Sequence, residues 1–155
     1  MRIKKIPFAK YCARSQIGMA NDLTEELREI LEQLDCVTGT LHRADGEVLH
    51  LVTQHGMPPE LVELIETIPF GKGMAGNAAS REQPIHIGHL QTSQDEAVEP
   101  GAKLSGMEGS LAAPIFAEDG EVIGVIGIAK PDVYEFDEAE QQALLDAGAA
   151  LADKL

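Results

Sequence analysis

A glycine-rich segment in the middle of the chain constrains its fold more than any other feature. The segment reads Phe70-Gly71-Lys72-Gly73-Met74-Ala75-Gly76-Asn77-Ala78. Glycine permits positive φ angles and close backbone approach, and small residues follow it, so we predict a tight loop that runs into a helix start. The free N–H groups and positive dipole end of that helix would face a small polar or anionic ligand. A sharp turn against a sheet, with no ligand, would explain the same glycines.

The size and charge of the chain exclude several classes of protein. A chain of 155 residues with 44% apolar residues is sufficient for one domain with a real core. The formal net charge of -14 predicts a surface that repels nucleic acid and anionic membranes. No window holds the roughly 20 apolar residues of a membrane helix, and the stretch after Ile6 is too short and too charged for a signal-peptide core. We therefore expect a cytoplasmic protein.

The cysteines and histidines give no pattern typical of a metal or cofactor site. Cys12 and Cys36 have neither metal-type spacing nor the number needed for a disulfide framework. His86 and His89 are three residues apart, and alternating side chains on a strand do not bring both rings to one side. We expect no metal, no cofactor and no catalytic residue.

Hydrophobic periodicity predicts a mixed α/β chain with an apolar helix near each end. Residues 1–19 are interpreted as an N-terminal tail or the start of the first helix, and residues 20–155 as a single domain. The first helix has one apolar face and follows an apparent capping box of Asp22 and Glu25. A second capping box, Asp137 with Glu140, opens the closing helix. The first apolar face consists of Leu23, Leu27, Ile30, Leu31 and Leu34, and the second of Leu144, Leu145, Gly148, Leu151 and Leu155.

A hairpin follows the first helix. Asp45-Gly46 is predicted as its two-residue turn, which would pair Arg43 with Val48 and Thr40 with Leu51. One face of the hairpin would then be apolar, and the other would mix polar and apolar groups as a cavity wall does. The apolar face would carry Val37, Leu41, Val48 and Val52, and the mixed face Thr38, Thr40, His42, Leu49 and Leu51.

The remaining predicted elements lie between this hairpin and the closing helix. Pro58-Pro59 predicts a short helix with Leu61, Leu64 and Ile65 inward. A short strand is predicted at Pro84–Ile87 and a long functional loop over residues 88–108. A second hairpin combines Gly109–Ala117 with Glu121–Lys130.

This order of elements, together with the glycine-rich segment, resembles a GAF domain. Matching passages are Pro84–Ile87, Gly109–Ile115, Gly120–Ile128 and Phe136–Glu140, and the resemblance covers roughly residues 20–155. It implies an α/β (α+β) fold with a central antiparallel sheet. The terminal helices would cover one face of that sheet, and small helices and loops would form a ligand cavity on the other.

The resemblance implies a small-molecule-binding sensory or regulatory protein. Since these 155 residues hold no output domain, it would signal through a partner such as a histidine kinase or regulator, and its terminal helices would form a homodimer. The implied ligands are small and polar or anionic: nitrate, a nucleotide or an amino-acid-like metabolite. The candidate ligand-binding residues are Thr40, His42, Gly73, Met74, Ala75, Gly76, His86, Ser110 and Leu111.

Two alternatives stay open from the sequence. Free-standing GAF proteins that reduce free methionine-R-sulfoxide use cysteines after the glycine motif, whereas residues 37–155 contain none. That enzymatic function is therefore disfavoured. The other alternative is a dimerisation module whose cavity is vestigial and plugged by Met74 or Leu111.

Overall fold

The structure is a computed structural model that describes residues 19–155. The predicted tail that precedes residue 19, and Cys12 within it, lie outside the described residues. The helices are α1 (Met19–Gln33), α2 (Pro59–Ile65), α3 (Gly73–Arg81) and α4 (Glu138–Leu151), with 3-10 helices at Pro100–Ser105 and Ala152–Lys154. The strands are β1 (Thr38–Asp45), β2 (Val48–His55), β3 (Thr67–Pro69), β4 (Ile85–Ile87), β5 (Gly109–Phe116) and β6 (Val122–Lys130).

The six strands form one antiparallel sheet in the order β3-β2-β1-β6-β5-β4. Helix α1 packs on β1 and β2, and α4 packs on β5 and β6. Helices α2 and α3 and the long loop lie on the other side, where α3 contacts β5 and β6. The α/β prediction with terminal helices on one face is confirmed.

The main hydrophobic core lies between the sheet and the terminal helices. The predicted apolar stripes of α1 and α4 both enter it, and Gly148 lets α4 approach the sheet closely. A Cβ at Gly148 would lie 2.9 Å from Cγ1 of Ile115. Members of this core include Leu23, Leu27, Leu31, Leu34, Leu41, Ile115, Ile126, Ile128, Leu144 and Leu151.

The first hairpin has a different register from the predicted one. Asp45 pairs with Val48, so the turn residues are Gly46 and Glu47, and Gly46 has a φ of +64°. Glycine at the first central position fits a type II′ turn, in which only that residue needs positive φ. The predicted pairs of Arg43 with Val48 and Thr40 with Leu51 are therefore wrong. Arg43 pairs with His50 instead, and Thr40 pairs with Gln54.

A bulge between Leu41 and His42 partly restores the predicted faces. Leu41 and Val52 both pack in the core beneath the terminal helices, as the pattern indicated. Val37 precedes the strand and is 48% exposed, so its predicted place in the core is wrong. The extra residue in β2 thus compensates for the shifted turn.

The start of α1 also differs from the prediction. The helix begins at Met19, so Asp22 lies inside the first turn, where it is buried, and cannot act as the N-cap. The second predicted capping box is confirmed at α4. There the Glu140 N–H donates to Asp137 Oδ1 at 2.8 Å, and the Asp137 N–H donates to Glu140 Oε1 at 3.0 Å.

Candidate functional site

A cavity of about 310 Å³ lies on the face of the sheet opposite the terminal helices. Strands β1, β6 and β5 form its floor, and α2, β3, the start of α3 and the 3-10 helix at Pro100–Ser105 form its walls. The volume is at the lower end of the range for small-molecule pockets, about 300–1,000 Å³. The floor residues are Thr38, Thr40, His42, Ser110, Ala112, Gly127 and Ala129.

Three hydroxyl groups lie in this floor. Thr38 and Thr40 share a face because they are two residues apart on β1. Ala129 pairs with both Thr38 and Ser110, so these side chains project from the same face. Within residues 19–155, none of the three hydroxyl groups forms a hydrogen bond. The floor therefore offers donors and acceptors that an occupant could satisfy.

Two small residues of β6 give the cavity its depth. Gly127 lies between Thr40 and Ala112 in the sheet, and a Cβ at Gly127 would lie 3.0 Å from Thr40 Oγ1. Ala129 occupies the equivalent position between Thr38 and Ser110. Larger side chains at either position would fill the space above the floor.

His42 is the most deeply buried polar group of the floor, at 1% exposure. Its Nε2 lies 2.8 Å from the carbonyl oxygen of Ile65, which can only accept, so Nε2 carries the proton. Burial lowers the pKa of His42, an effect opposed by that hydrogen bond and reinforced by His50. The ring is neutral at pH 7, and its Nδ1 is an acceptor without a partner in the described chain.

The glycine-rich segment forms the predicted loop and helix start. Gly73 has a φ of +67°, and Lys72, the N-cap of α3, makes no capping hydrogen bond with its side chain. Among residues 19–155, the N–H groups of Gly73, Met74 and Ala75 have no acceptor. All three residues line the cavity. An uncapped helix N-terminus, with its partial positive charge, therefore borders the cavity.

Asn77 fixes the shape of this loop. Its side-chain amide donates to the carbonyl oxygen of Gly73 at 2.7 Å and to that of Gly71 at 3.2 Å. The Gly71 N–H donates to the carbonyl oxygen of Gly76 at 2.7 Å. Because these carbonyls are used internally, the loop presents N–H groups rather than carbonyl oxygens to the cavity.

The long loop predicted over residues 88–108, here called the lid loop, covers one side of the cavity. It contains the 3-10 helix, whose Gly101 packs against Leu64 of α2; a Cβ at Gly101 would lie 2.9 Å from Leu64 Cδ1. Leu64 was predicted to point inward, but it is 58% exposed and lies at the cavity edge. Glu99 Oε1 lies 3.8 Å from Lys72 Nζ. This ion pair connects the lid loop to the glycine-rich loop at the rim.

Two of the predicted ligand-binding residues do not present their side chains to the cavity. His86 pairs with Leu111 across β4 and β5, so both side chains lie on the same face of the sheet. Leu111 belongs to the core beneath the terminal helices, and only its backbone borders the cavity. His86 lies at the surface, with Nδ1 3.7 Å from Glu135 Oε2.

Gly76 is absent from the cavity wall for a different reason. A Cβ at Gly76 would lie 2.5 Å from the carbonyl oxygen of Pro69. This glycine therefore allows α3 to pack on β3, and no ligand contact follows from it. The other six candidates, Thr40, His42, Gly73, Met74, Ala75 and Ser110, all line the cavity.

The sequence interpretation missed several lining residues. Strand alternation places Thr38 on the same hairpin face as Thr40, yet Thr38 is not among the candidate ligand-binding residues. Gly127 and Ala129 show the same spacing within an apolar strand. Glu99 gave no such signal, because nothing in the loop sequence indicates which residue reaches the cavity.

Cys36 lies away from the cavity. It is buried in the core beneath the terminal helices, where burial raises its pKa to about 12. Its thiol lies 3.5 Å from the carbonyl oxygen of Leu34. A thiol held neutral and remote from the cavity is unsuited to act on a ligand there.

The part of the chain that the structure describes holds no cluster of three or more histidine, cysteine or acidic side chains able to bind a metal ion. Nor does any helix among residues 19–155 have the length and apolar character required to cross a membrane.

A family model for the GAF domain matches residues 19–153. No curated protein matches the chain. Among solved structures, the GAF domain of a phosphoenolpyruvate-protein phosphotransferase from Coxiella burnetii has 22% identity and a TM-score of 0.75, over 89% of this chain and 82% of that chain. A protein described as a GAF sensor from Burkholderia vietnamiensis has 22% identity and a TM-score of 0.68, over 90% and 85%. The free methionine-R-sulfoxide reductase from Neisseria meningitidis, in complex with its substrate, has 19% identity and a TM-score of 0.69, over 88% and 77%.

Proposed function

Because this chain belongs to the GAF domain family, we propose that it binds a small polar or anionic molecule and regulates a partner protein in response. The partner is a histidine kinase or another regulator, and the terminal helices form a homodimer. The protein acts in the cytoplasm and carries out no chemistry of its own.

The cavity is the observation that carries this proposal. Its lining is mainly apolar but includes the hydroxyl groups of Thr38, Thr40 and Ser110, none of which forms a hydrogen bond within residues 19–155. A buried polar group without a hydrogen bond costs about 1–3 kcal/mol. A ligand or water that bonds to these groups removes that cost, and a purely structural pocket has no need of them.

The sheet provides the route from the ligand to the partner. Thr40 faces the cavity, whereas its neighbour Leu41 lies in the core beneath α1 and α4. A ligand that shifts β1 or orders the lid loop therefore alters the packing of the terminal helices. A binding event can change an equilibrium of this kind only by its differential affinity for the two states.

A thermal-shift screen of purified protein tests the proposal. The screen uses nitrate, nucleotides, amino acids and small organic acids, amides and amines, and at least one compound should raise the melting temperature in a concentration-dependent way. The variant Ala129→Leu fills the cavity floor and should abolish that shift. Ala149→Leu, on the exposed side of α4, is its matched control and should respond as the parent does. Absence of any shift across the screen contradicts the proposal.

The two alternatives, a dimerisation module with a vestigial cavity and a methionine sulfoxide reductase, are less consistent with the structure than a ligand-binding function is. The cavity remains open, and the side chain of Leu111 lies on the opposite face of the sheet, so the plug expected of a vestigial cavity is not formed by that residue. A reductase would need a cysteine at the cavity, and Cys36 is buried elsewhere. A coupled thioredoxin assay with free methionine-R-sulfoxide tests the enzymatic alternative directly.

A further inference from the structure

We infer that the ligand of this cavity is a monocarboxylate with an apolar body, its carboxylate bound by the free N–H groups at the start of α3. This inference rests on the proposed function and names the chemical class of its ligand.

The start of α3 provides the site for the carboxylate. Gly73, Met74 and Ala75 line the cavity, their N–H groups have no acceptor within residues 19–155, and the helix dipole adds about half a positive charge there. The two oxygens of a carboxylate can accept several such N–H donors at once. No side chain of the helix cap competes for these donors, since Lys72 makes no capping hydrogen bond.

The floor independently indicates that an occupant belongs in the cavity. Thr38, Ser110 and His42 are each more than nine-tenths buried and line the cavity, and the hydroxyl groups of Thr38 and Ser110 lack partners within the described chain. These hydroxyl groups can bond to a hydroxyl or carbonyl group on the ligand body. They cannot neutralise a second charge.

The distribution of charge limits the ligand to one anionic group. Among residues 19–155, Lys72 and Glu99 are the two lining residues with permanent charge, and they pair with each other at the rim, with side chains 61% and 42% exposed. The interior thus offers no counter-charge to an ammonium group or a second anion. A charge buried without a partner is strongly disfavoured, so amines, amino acids and dianions fit this cavity less well.

The walls accommodate the apolar body. Six apolar side chains from four parts of the chain enclose the space: Met57, Leu61, Leu64, Ile65, Ile68 and Leu90. The cavity volume of about 310 Å³ restricts that body to a small aliphatic or aromatic group. Burial of this group supplies affinity in proportion to its apolar area.

A matched series of compounds tests the class of the ligand. The carboxylates are hexanoate, cyclohexanecarboxylate and 3-phenylpropanoate, and each is compared by calorimetry with its amide and its primary amine. L-Phenylalanine serves as the amino-acid counterpart of 3-phenylpropanoate, and acetate as a head group without a body. We expect at least one carboxylate to bind about tenfold or more tightly than its amide and amine, because hydrogen bonds to a charged acceptor are stronger.

Two variants at one position separate the N–H group from the side chain. Met74→Pro removes an N–H group in the first turn, where proline is tolerated, and Met74→Ala removes the same side chain while keeping the N–H group. The proline variant should bind the best carboxylate about tenfold more weakly than the alanine variant. Equal melting temperatures of the two unliganded variants show that the comparison is not a folding effect.

The outcomes distinguish the two proposals. Tight binding of an amide, an amine or L-phenylalanine, with weaker binding of every carboxylate, refutes the ligand class and leaves the proposed function intact. The same class is refuted if both Met74 variants bind the best carboxylate equally, or if acetate binds as tightly as the larger acids. If no compound of this series or of the broader screen binds, both proposals fail.

Discussion

At the scale of residues, the shape of this site depends on absent side chains at two glycines and on the protonation of one buried histidine. Gly127 has no side chain and leaves room above the floor, whereas Gly76 has none because a backbone carbonyl occupies the adjacent space. His42 keeps its single proton on Nε2, which donates to the carbonyl oxygen of Ile65, and burial disfavours a second proton on Nδ1. Each of these roles is set by contacts between residues that are not adjacent in the sequence, and each leads to a measurable effect.

Replacement of Gly76 by alanine should destabilise the protein. Alanine normally stabilises the interior of a helix by up to about 1 kcal/mol relative to glycine. Here the new Cβ would lie 2.5 Å from the carbonyl oxygen of Pro69, and the backbone must move. We expect the free energy of unfolding, measured by urea denaturation, to fall by about 1–3 kcal/mol.

Gly88→Ala is the control for that experiment. The three atoms nearest to its new Cβ all belong to the carboxyl end of Glu135, an exposed side chain that can rotate away. If Gly76→Ala is no more destabilising than Gly88→Ala, the assigned role of Gly76 is wrong.

The stability of the protein should depend on pH through His42. Burial lowers the pKa of this group below 6.5 in the folded protein, whereas in the unfolded chain it titrates near about 6.5. Below that pH the unfolded state binds more protons, so the free energy of unfolding decreases as pH falls from about 6.5 towards the folded-state pKa. Above pH 6.5 this contribution is fully present.

Urea denaturation at about pH 7.5 and about pH 5.5 measures this effect. His42→Gln should reduce the difference in unfolding free energy between the two pH values. His55→Gln, at an exposed position, should leave the difference close to that of the parent. An unchanged difference in His42→Gln would contradict the assignment.

At the scale of elements, the order and type of the helices and of the strands other than β3 could be predicted from the sequence, because hydrophobic periodicity and turn residues act locally. The three-residue strand β3 (Thr67–Pro69) was not predicted. The faces of β4 and β5 could not be predicted in the same way. Ser110 and Leu111 are adjacent on one strand, so their side chains lie on opposite faces and only one of them can face the cavity. His86 lies on the same face as Leu111 because the two residues pair across β4 and β5, and this register cannot be read from the sequence. The predicted two-residue turn at Asp45-Gly46 was wrong for a similar reason, since the type of a turn depends on the twist of the paired strands.

The capping box of α4 should contribute measurably to stability. Asp137→Ala removes the acceptor for the Glu140 N–H, a bond of 2.8 Å, and we expect a loss of about 1 kcal/mol in the free energy of unfolding. Asp146→Ala, later in the same helix, should change it by less than about 0.5 kcal/mol. Equal losses in a urea titration would show that the cap is not the source of the effect.

At the scale of the whole molecule, the most general property is the net charge of -14. Mutual repulsion among acidic groups destabilises the compact state. The cavity still carries an uncapped helix N-terminus at its edge, so a small anion meets local attraction within a field that is repulsive overall. The binding of anions should therefore be sensitive to ionic strength.

Added salt should stabilise the unliganded protein. An increase in NaCl from about 0.01 M to about 0.15 M shortens the Debye length from about 30 Å to about 8 Å, which screens repulsion between acidic groups. We expect the melting temperature to rise over this range. A falling melting temperature would indicate that attractive ion pairs such as that between Glu26 and Lys154, at 2.6 Å, outweigh the repulsion.

The two small residues in the floor have an evolutionary consequence. Gly127 and Ala129 set the depth of the cavity, and neither supplies a polar group to the ligand. A one-base change in either codon introduces valine and makes the cavity shallower, while the hydroxyl groups and the helix end stay in place. A duplicated gene could thus diverge towards shorter ligands by a single substitution, and the same head group would still be recognised.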